Sequence, residues 1–376
     1  MTDSVLEQLS QAVRAAAAAK RPLRLRGGGS KDFYGQSLAG DILDTRAWSG
    51  IVAYEPSELV ITARCGTPLA EVEAAMRAQG QMLAFEPPHF SGGSNQNGQP
   101  PHFGAGATSF ATMGGMVAAG LSGPRRQAAG AVRDFVLGVT LLDARGEVLA
   151  FGGQVMKNVA GYDVSRLMAG SLGTLGLILE VSLKVMPLPA AEATLKLELP
   201  EDKAIETLNR WGGKPLPVSA GAWAGGELAV RLSGARAAVA AACKKIGGER
   251  IDDAQAQRFW AGIREHTHVF FGTQSENAAP LWRLSVPSTT APLKLGGEPL
   301  IEWGGALRWL ASNADARIVR EAAQRAGGHA TLFRGGDKSA GVFQPLAPPL
   351  MQIHRELKRE FDPHGIFNPG RMYPDL

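Results

Sequence analysis

The chain of 376 residues holds two cysteines, Cys65 and Cys243, far apart and outside any C-x-x-C spacing. Two thiols so far apart supply neither the four cysteines of an iron–sulfur cluster nor the paired C-x-x-C of a structural zinc site, and they suit a reduced, cytoplasmic setting. Neither sign of charge dominates. The 39 Lys and Arg residues are nearly matched by 35 Asp and Glu, and they are scattered rather than striped, a poor footprint for nucleic acid. No apolar run approaches the roughly 18 residues of a membrane span, so contact with the inner membrane is expected only as a peripheral association through a partner. The histidines are few and badly spaced for a metal. His266 and His268, the nearest pair, suit one face of a strand but have no third ligand nearby, and no metal is predicted.

Glycine, in contrast, is abundant at 47 residues, and it clusters. "GGGS" at 27–30 follows the strand-like "PLRLR", "TMGGMVAAGLSG" covers 112–123, and "AGSLGTLG" covers 169–176. Consecutive glycines remove every Cβ from a turn, so main-chain N–H groups can converge on an anion. The spacing of Gly27, Gly28 and Gly29 matches neither common phosphate motif, and by itself the stretch reads better as an ordinary tight loop than as a phosphate site. Taken together, the three segments would let main-chain amides line a long ligand with a central pyrophosphate, a dinucleotide. The acidic residue that a nicotinamide site places about 20 positions after its glycines is missing, which favours a flavin.

Periodicity divides the chain. Val5, Leu6, Leu9 and Val13 recur at helical spacing, while Asp3 and Glu7 stand where a signal peptide needs positive charge, so an amphipathic first helix is expected. "PLRLR", "GIVAYE" and "ELVITARCG" read as strands. "TPLAEVEAAMRAQG" reads as a helix with Thr67 as N-cap, Pro68 at the first position and Gly80 as stop, giving a βαβ-like beginning. "DFVLGVTLLDARGEVLAFGG" predicts a hairpin. After Pro187 and Pro189 strands and helices alternate, a second α+β unit. Trp260, Trp282, Trp303 and Trp309 fall in it and are expected on a partner surface. A last helix carries Leu350, Ile353, Leu357 and Phe361 on one side and stops at Asp362-Pro363.

"PLRLRGGGS", "TMGGMVAAGLSG", "VRDFVLGVTLLDARGEVLAFGG", "KNVAGYDVSRLMAGSLGTLGLILEVSLKVMP" and "FDPHGIFNPGRMY" occur in an order that resembles the FAD-linked oxidases of the vanillyl-alcohol oxidase type. With "YEPSELVITARCGTPLAEVEAAM", "EPPHF", "GPRR", "WGGALRWL" and "AGGHAT", the likeness extends to the FAD-binding subunits of bacterial glycolate oxidases. "SGGSNQNGQPPHFGAGATSFA" departs from that pattern in length and glycine content.

The resemblance implies an α+β protein with a PCMH-type FAD-binding domain of two subdomains over 1–190. It further implies an α+β cap or interface domain over 191–340, and a C-terminal helix and NPGR segment over 341–376 that packs back on the first domain. It implies that Gly27, Gly28, Gly29 and Ser30 form the first phosphate loop, and that Thr112, Gly114, Gly115, Ser122 and Gly123 follow the pyrophosphate and ribityl side. Ile178 would meet the adenine with its main chain, and Asn368 and Arg371 would return to the flavin. For Arg371 two readings stand: a cation near the flavin N1/C2 edge, which would raise its potential, or a surface ion pair at a frayed end. Some members of this family tether the flavin through a histidine near the first loop; Arg26 and Lys31 stand there, so non-covalent FAD is expected.

The implied partners are a larger FAD-linked catalytic subunit and an iron–sulfur subunit, and the implied reaction is oxidation of glycolate, a small 2-hydroxy acid, to glyoxylate. A self-sufficient FAD oxidoreductase and a non-catalytic FAD-binding assembly subunit are the alternatives. For catalysis the sequence offers only His329 and Arg283 as candidates; Arg283, Glu302, Trp303 and Arg308 read as lining either a carboxylate pocket or a subunit interface. Lys157, Asn158, Tyr162 and Asp163 are read as structural: Asn158 and Asp163 hydrogen-bonding the loop and capping the next helix, with Tyr162 packed beside it.

Overall fold

The alanine-rich start forms the helix Thr2–Ala19, which presses Leu9, Val13 and Ala16 into a core. The structure, a computed structural model, describes residues 2–90, 111–153, 162–272 and 279–376. The reading of Lys157 and Asn158 therefore lies outside the described residues, as does the glycine-rich 91–110 segment.

Two antiparallel sheets organise the described chain. The first has five strands in the order Ile51–Glu55, Val60–Arg64, Leu177–Lys184, Val136–Leu142, Val148–Gly152. Its two long strands read as nearly continuous β-branched and leucine runs because they are buried, and Ile61, Leu141, Leu142, Val181 and Leu183 meet Val13, Met76 and Val117 there. The predicted hairpin forms as expected: Asp143 accepts hydrogen bonds from the main-chain N–H groups of Arg145 and Glu147, closing its turn.

The second sheet has eight strands in the order Glu249–Arg250, Ala191–Glu198, Glu227–Gly234, Val218–Ala224, Pro299–Glu302, Leu307–Ala311, Leu281–Ser285, His329–Arg334. An aromatic cluster containing Tyr34, Phe90, Trp303, Trp309 and Phe333 joins residues of the first sheet's neighbourhood to the second sheet. The C-terminal segment then returns: the Leu23 N–H donates to the Ile366 carbonyl, and the Asn368 N–H to the Leu23 carbonyl. Lys358 pins this return by donating to the Thr174 and Phe367 carbonyls and to Asp362, all at 2.7–2.8 Å.

Several expectations are corrected. The opening is not βαβ, since Val60–Arg64 and Gln81–Met82, on either side of the helix Leu69–Ala78, lie in different sheets; parallel pairing joins Leu23–Arg26 to Asp41–Asp44 instead. Pro68, not Thr67, is the N-cap, because the Thr67 hydroxyl already donates to the Arg64 carbonyl and accepts from the Gly50 N–H. Trp260, Trp282, Trp303 and Trp309 are 3–5% exposed and pack internally, so they are not a partner surface. Three of the four indole N–H groups reach a partner inside, at Thr194, Gly123 and Glu302. His266 and His268 are not on a strand: the first is the left-handed C-cap of the helix Asp253–Glu265, stacked on Phe271, and the second caps the 3-10 turn Val269–Phe271. Asp163 does cap the helix Val164–Leu167, but Tyr162 is 94% exposed rather than packed. On the last helix, Pro348–Phe361, Leu357 and Phe361 touch the core while Leu350 and Ile353 remain exposed.

Candidate functional site

The strand Leu23–Arg26 delivers the glycine loop beside the helix Met113–Ala119. At Gly27 a Cβ would lie 2.2 Å from the Thr112 hydroxyl oxygen, so no side chain fits between loop and helix. Gly29 has φ +73°, the left-handed region that glycine enters without strain. Gly27, Gly28, Gly29, Ser30, Thr112, Gly115, Asn368 and Arg371 line one groove. A second depression shares Gly27, Gly115, Leu172 and Asn368 with it and continues past Gly114, Gly173 and Gly176 to Ile178. The two form one trough, walled by main chain at three places widely separated in sequence.

Gly115 is the telling residue of this trough. It is exposed, in a helix whose neighbours Gly114 and Met116 are buried, and among the described residues outside that helix's own backbone a Cβ added there comes within 4 Å of the Thr112 hydroxyl oxygen alone, at 3.2 Å. Packing therefore gives little reason for glycine at this helical position, where alanine is favoured by about 1 kcal/mol. A ligand lying against the main chain supplies a reason.

Charges around the loop are arranged for an anion. Asp32, the acid nearest the loop, accepts from Arg24 and Arg26 at 2.7 Å each, which leaves the neighbourhood net cationic. Lys31 reaches the Ser30 hydroxyl at 3.2 Å; burial pushes its pKa down to about 8, with Glu265 opposing. Arg371 is 6% exposed, so it is not a surface ion pair. Its guanidinium donates to the carbonyls of Lys31 and Asp32 at 3.1 Å and to that of Gln36 at 3.4 Å. Lys338 donates to the Phe33 and Gly35 carbonyls at 2.9 and 2.7 Å. The stretch after the glycines is thus held from the C-terminal segment and from the turn beyond the second sheet. Sequence reasoning missed Lys338, which carries no motif. Asn368 ties the trough's two walls by donating to the Leu172 carbonyl at 2.6 Å and accepting the Leu25 N–H at 2.8 Å.

The remaining expected residues sit elsewhere. Ser122 accepts the Val132 N–H, and Gly123 donates to the Phe85 carbonyl while its own carbonyl takes the Trp303 indole N–H at 3.1 Å; they fasten the joint between the sheets. Arg283 sits on the seventh of the second sheet's eight strands, between Trp309 and Thr331 on its neighbours. His329 opens that sheet's edge strand and is exposed, yet crowding around its ring and then the charge of Arg283 push its pKa down. Among the described residues no group of three or more acidic, histidine or cysteine side chains is placed to hold a metal, and no helix is long and apolar enough to cross a membrane.

A main-chain trough with cationic flanks suits the pyrophosphate of a dinucleotide, and sequence comparison identifies which one. The family described as "FAD binding domain" matches residues 5–94 and 93–152, and that described as "FAD linked oxidases, C-terminal domain" matches 335–372. The chain belongs to the FAD-linked oxidase family, and FAD is its cofactor. It is 46% identical over 375 residues to glycolate oxidase subunit GlcE of Escherichia coli (strain K12), covering 100% of this chain and 98% of that protein. It is 28% identical to glycolate oxidase subunit GlcD of Bacillus subtilis (strain 168) over 52% of this chain and 39% of that one. A D-lactate dehydrogenase of Anaerostipes hadrus is 30% identical over 42% of this chain and 29% of its own length. Among solved structures, an alkyldihydroxyacetonephosphate synthase superposes with TM-score 0.64 at 14% identity, over 96% of this chain and 75% of that chain, which shows the fold.

Proposed function

We propose that this chain is the FAD-binding subunit of a multi-subunit glycolate oxidase, oxidising glycolate and similar 2-hydroxy acids to the 2-oxo acid and passing electrons to a larger FAD-linked subunit and an iron–sulfur subunit. The observation that carries this reading is exposed Gly115, facing the trough that the glycine loop and the C-terminal segment share. Full-length likeness to a glycolate oxidase subunit supports the substrate class. In this reading residues 1–190 hold FAD, 191–340 form the cap, and 341–376 return to the cofactor, with any inner-membrane association peripheral.

When bound, FAD supplies the two-electron acceptor for the hydride on the hydroxyl-bearing carbon. The chain's own residues do the holding. Main-chain N–H groups at Gly27–Ser30 and at Gly115 would meet the pyrophosphate, the Gly114 N–H being already spent on the Cys65 carbonyl, and Ile178 would offer main chain at the far end. Arg371 and Lys338 fix the loop that makes those contacts, and Arg371 acts through the loop carbonyls it binds rather than on the flavin ring. Arg283 supplies a cation for the substrate carboxylate. His329, kept neutral by its surroundings, is in the protonation state a base for the hydroxyl proton requires. Arg26 and Lys31 offer no imidazole for a covalent link, so the cofactor is held non-covalently.

Expression of the chain alone and with both partners tests the reading. The isolated chain should be yellow, release its flavin on acid precipitation, and reduce dye with glycolate only in the complex. Full glycolate-dependent turnover by the chain alone would refute partner dependence.

A further inference from the structure

Trp303 bolts the two sheets together through its indole N–H, and two guanidiniums lie against its ring: Arg126 at 4.2 Å from the centroid and Arg283 at 5.2 Å. They come from opposite sides of the joint, Arg126 from the short helix Arg126–Ala129 and Arg283 from the strand Leu281–Ser285. Among the described residues neither side chain makes an ion pair or a hydrogen bond. The acids nearby do not serve them: Glu302 is occupied with the Trp309 indole, and Asp134 bonds the Ala131 N–H. The two cations feel each other. Burial and then Arg283 push the Arg126 pKa down, with Arg133 adding to it and Asp134 opposing. Stacking on Trp303 accounts for where the guanidiniums lie but leaves two partly buried like charges with no hydrogen-bonding acid, Asp134 and Glu302 acting on them only through space. Tyr34, just past the glycine loop, belongs to the same packed aromatic cluster as Trp303, which sets the pair on the loop's side of the joint.

We propose that Arg126 and Arg283 form one anion site across the joint, in which the carboxylate of the substrate bridges the two sheets and Arg126 is a binding residue contributed from the cofactor side. The substrate class rests on the function proposed above; the site itself rests on the two unpaired guanidiniums. Planar guanidiniums match carboxylate oxygens in pairs, and Trp303 shields the contact from water.

Calorimetric titration of the FAD-loaded full chain with oxalate, a small carboxylate lacking the oxidisable hydroxyl carbon, tests it, alongside glycolate under anaerobic conditions. Arg126→Ala and Arg283→Ala should each weaken oxalate binding roughly tenfold or more, and Arg126→Lys should weaken it less. Arg133→Ala, at a largely exposed neighbour, should leave it unchanged. Without ligand, Arg126→Ala should melt at or above the wild-type temperature, because a like-charge repulsion is relieved. Wild-type binding by Arg126→Ala, no oxalate binding by the wild type, or a lower melting temperature of ligand-free Arg126→Ala would overturn the site. Oxalate binding that depends on both arginines, with no glycolate turnover in the assembled complex, would keep the site and sink the substrate reading.

Discussion

Replacing Gly115 by alanine separates what the fold wants from what the cofactor wants. In the helix Met113–Ala119 an alanine is worth about 0.5–1 kcal/mol more than glycine, through lost unfolded-state freedom and better helix propensity. Among the described residues its Cβ would meet only the Thr112 hydroxyl, at 3.2 Å, which needs to shift by a few tenths of an ångström. The apo-protein should therefore be as stable as wild type or slightly more so in urea. The same methyl group projects into the trough at the point its two halves share. An inserted methyl in a packed contact costs about 1–3 kcal/mol, a roughly fivefold to hundredfold loss of FAD affinity. Paired measurements on one preparation, urea unfolding without cofactor and fluorescence titration with FAD, read both effects. At saturating FAD the order of stability should then invert, since a tighter ligand stabilises more. Wild-type FAD affinity in Gly115→Ala would refute the placement of the cofactor along this helix.

Other perturbations probe the frame. Arg371→Ala removes donors to three loop carbonyls and should cost about 2–4 kcal/mol in urea unfolding while weakening FAD binding, with Arg371→Lys intermediate; unchanged FAD affinity would show that the loop does not need its clamp. Glu86 links Arg125 and Arg231 across the joint. Burial alone would raise its pKa, but Arg231 and then Arg125 outweigh this and hold it below the ordinary 4.5. The stabilisation is thus present above pH 4.5 and lost as pH falls through the lower native value, so Glu86→Gln should be less stable than wild type at pH 7 and approach it at low pH. Glu302 has the opposite sign: burial pushes its pKa up to about 7 against the Trp309 hydrogen bond and Arg283. The native state keeps a proton there that the unfolded chain releases, so stability falls as pH rises from 4.5 to 7. Glu302→Gln should exceed wild-type stability at pH 8 by on the order of 2–3 kcal/mol and lose that advantage near pH 4; no pH dependence in the difference would contradict the assignment.

What could be read from the residues was whatever is local. The first helix, the 136–152 hairpin and the stop at Asp362-Pro363 announce themselves by period and turn chemistry. The glycine segments announced themselves by composition, and the structure brings Gly27–Ser30, Gly114–Gly115 and Ile178 into one trough. Contacts between distant residues were illegible. Nothing in "NPGR" says that Asn368 joins Leu25 to Leu172, or that Arg371 grips carbonyls 31, 32 and 36. The tryptophans were placed outside because tryptophan and arginine also mark interfaces, whereas contacts with residues distant in sequence bury them, such as the Trp303 indole on the Gly123 carbonyl 180 positions away and Trp260 on Thr194 66 positions away. Nothing local in "GPRR" marks Arg126, and only the approach of the second sheet sets it against Trp303 and Arg283.

The most direct test is to strip the purified full chain of flavin, saturate it with FAD, pass it through a desalting column and count flavin per polypeptide by absorbance. One FAD per chain, released intact by acid, is the expected result. A colourless protein with no saturable uptake of FAD would contradict the account at its root.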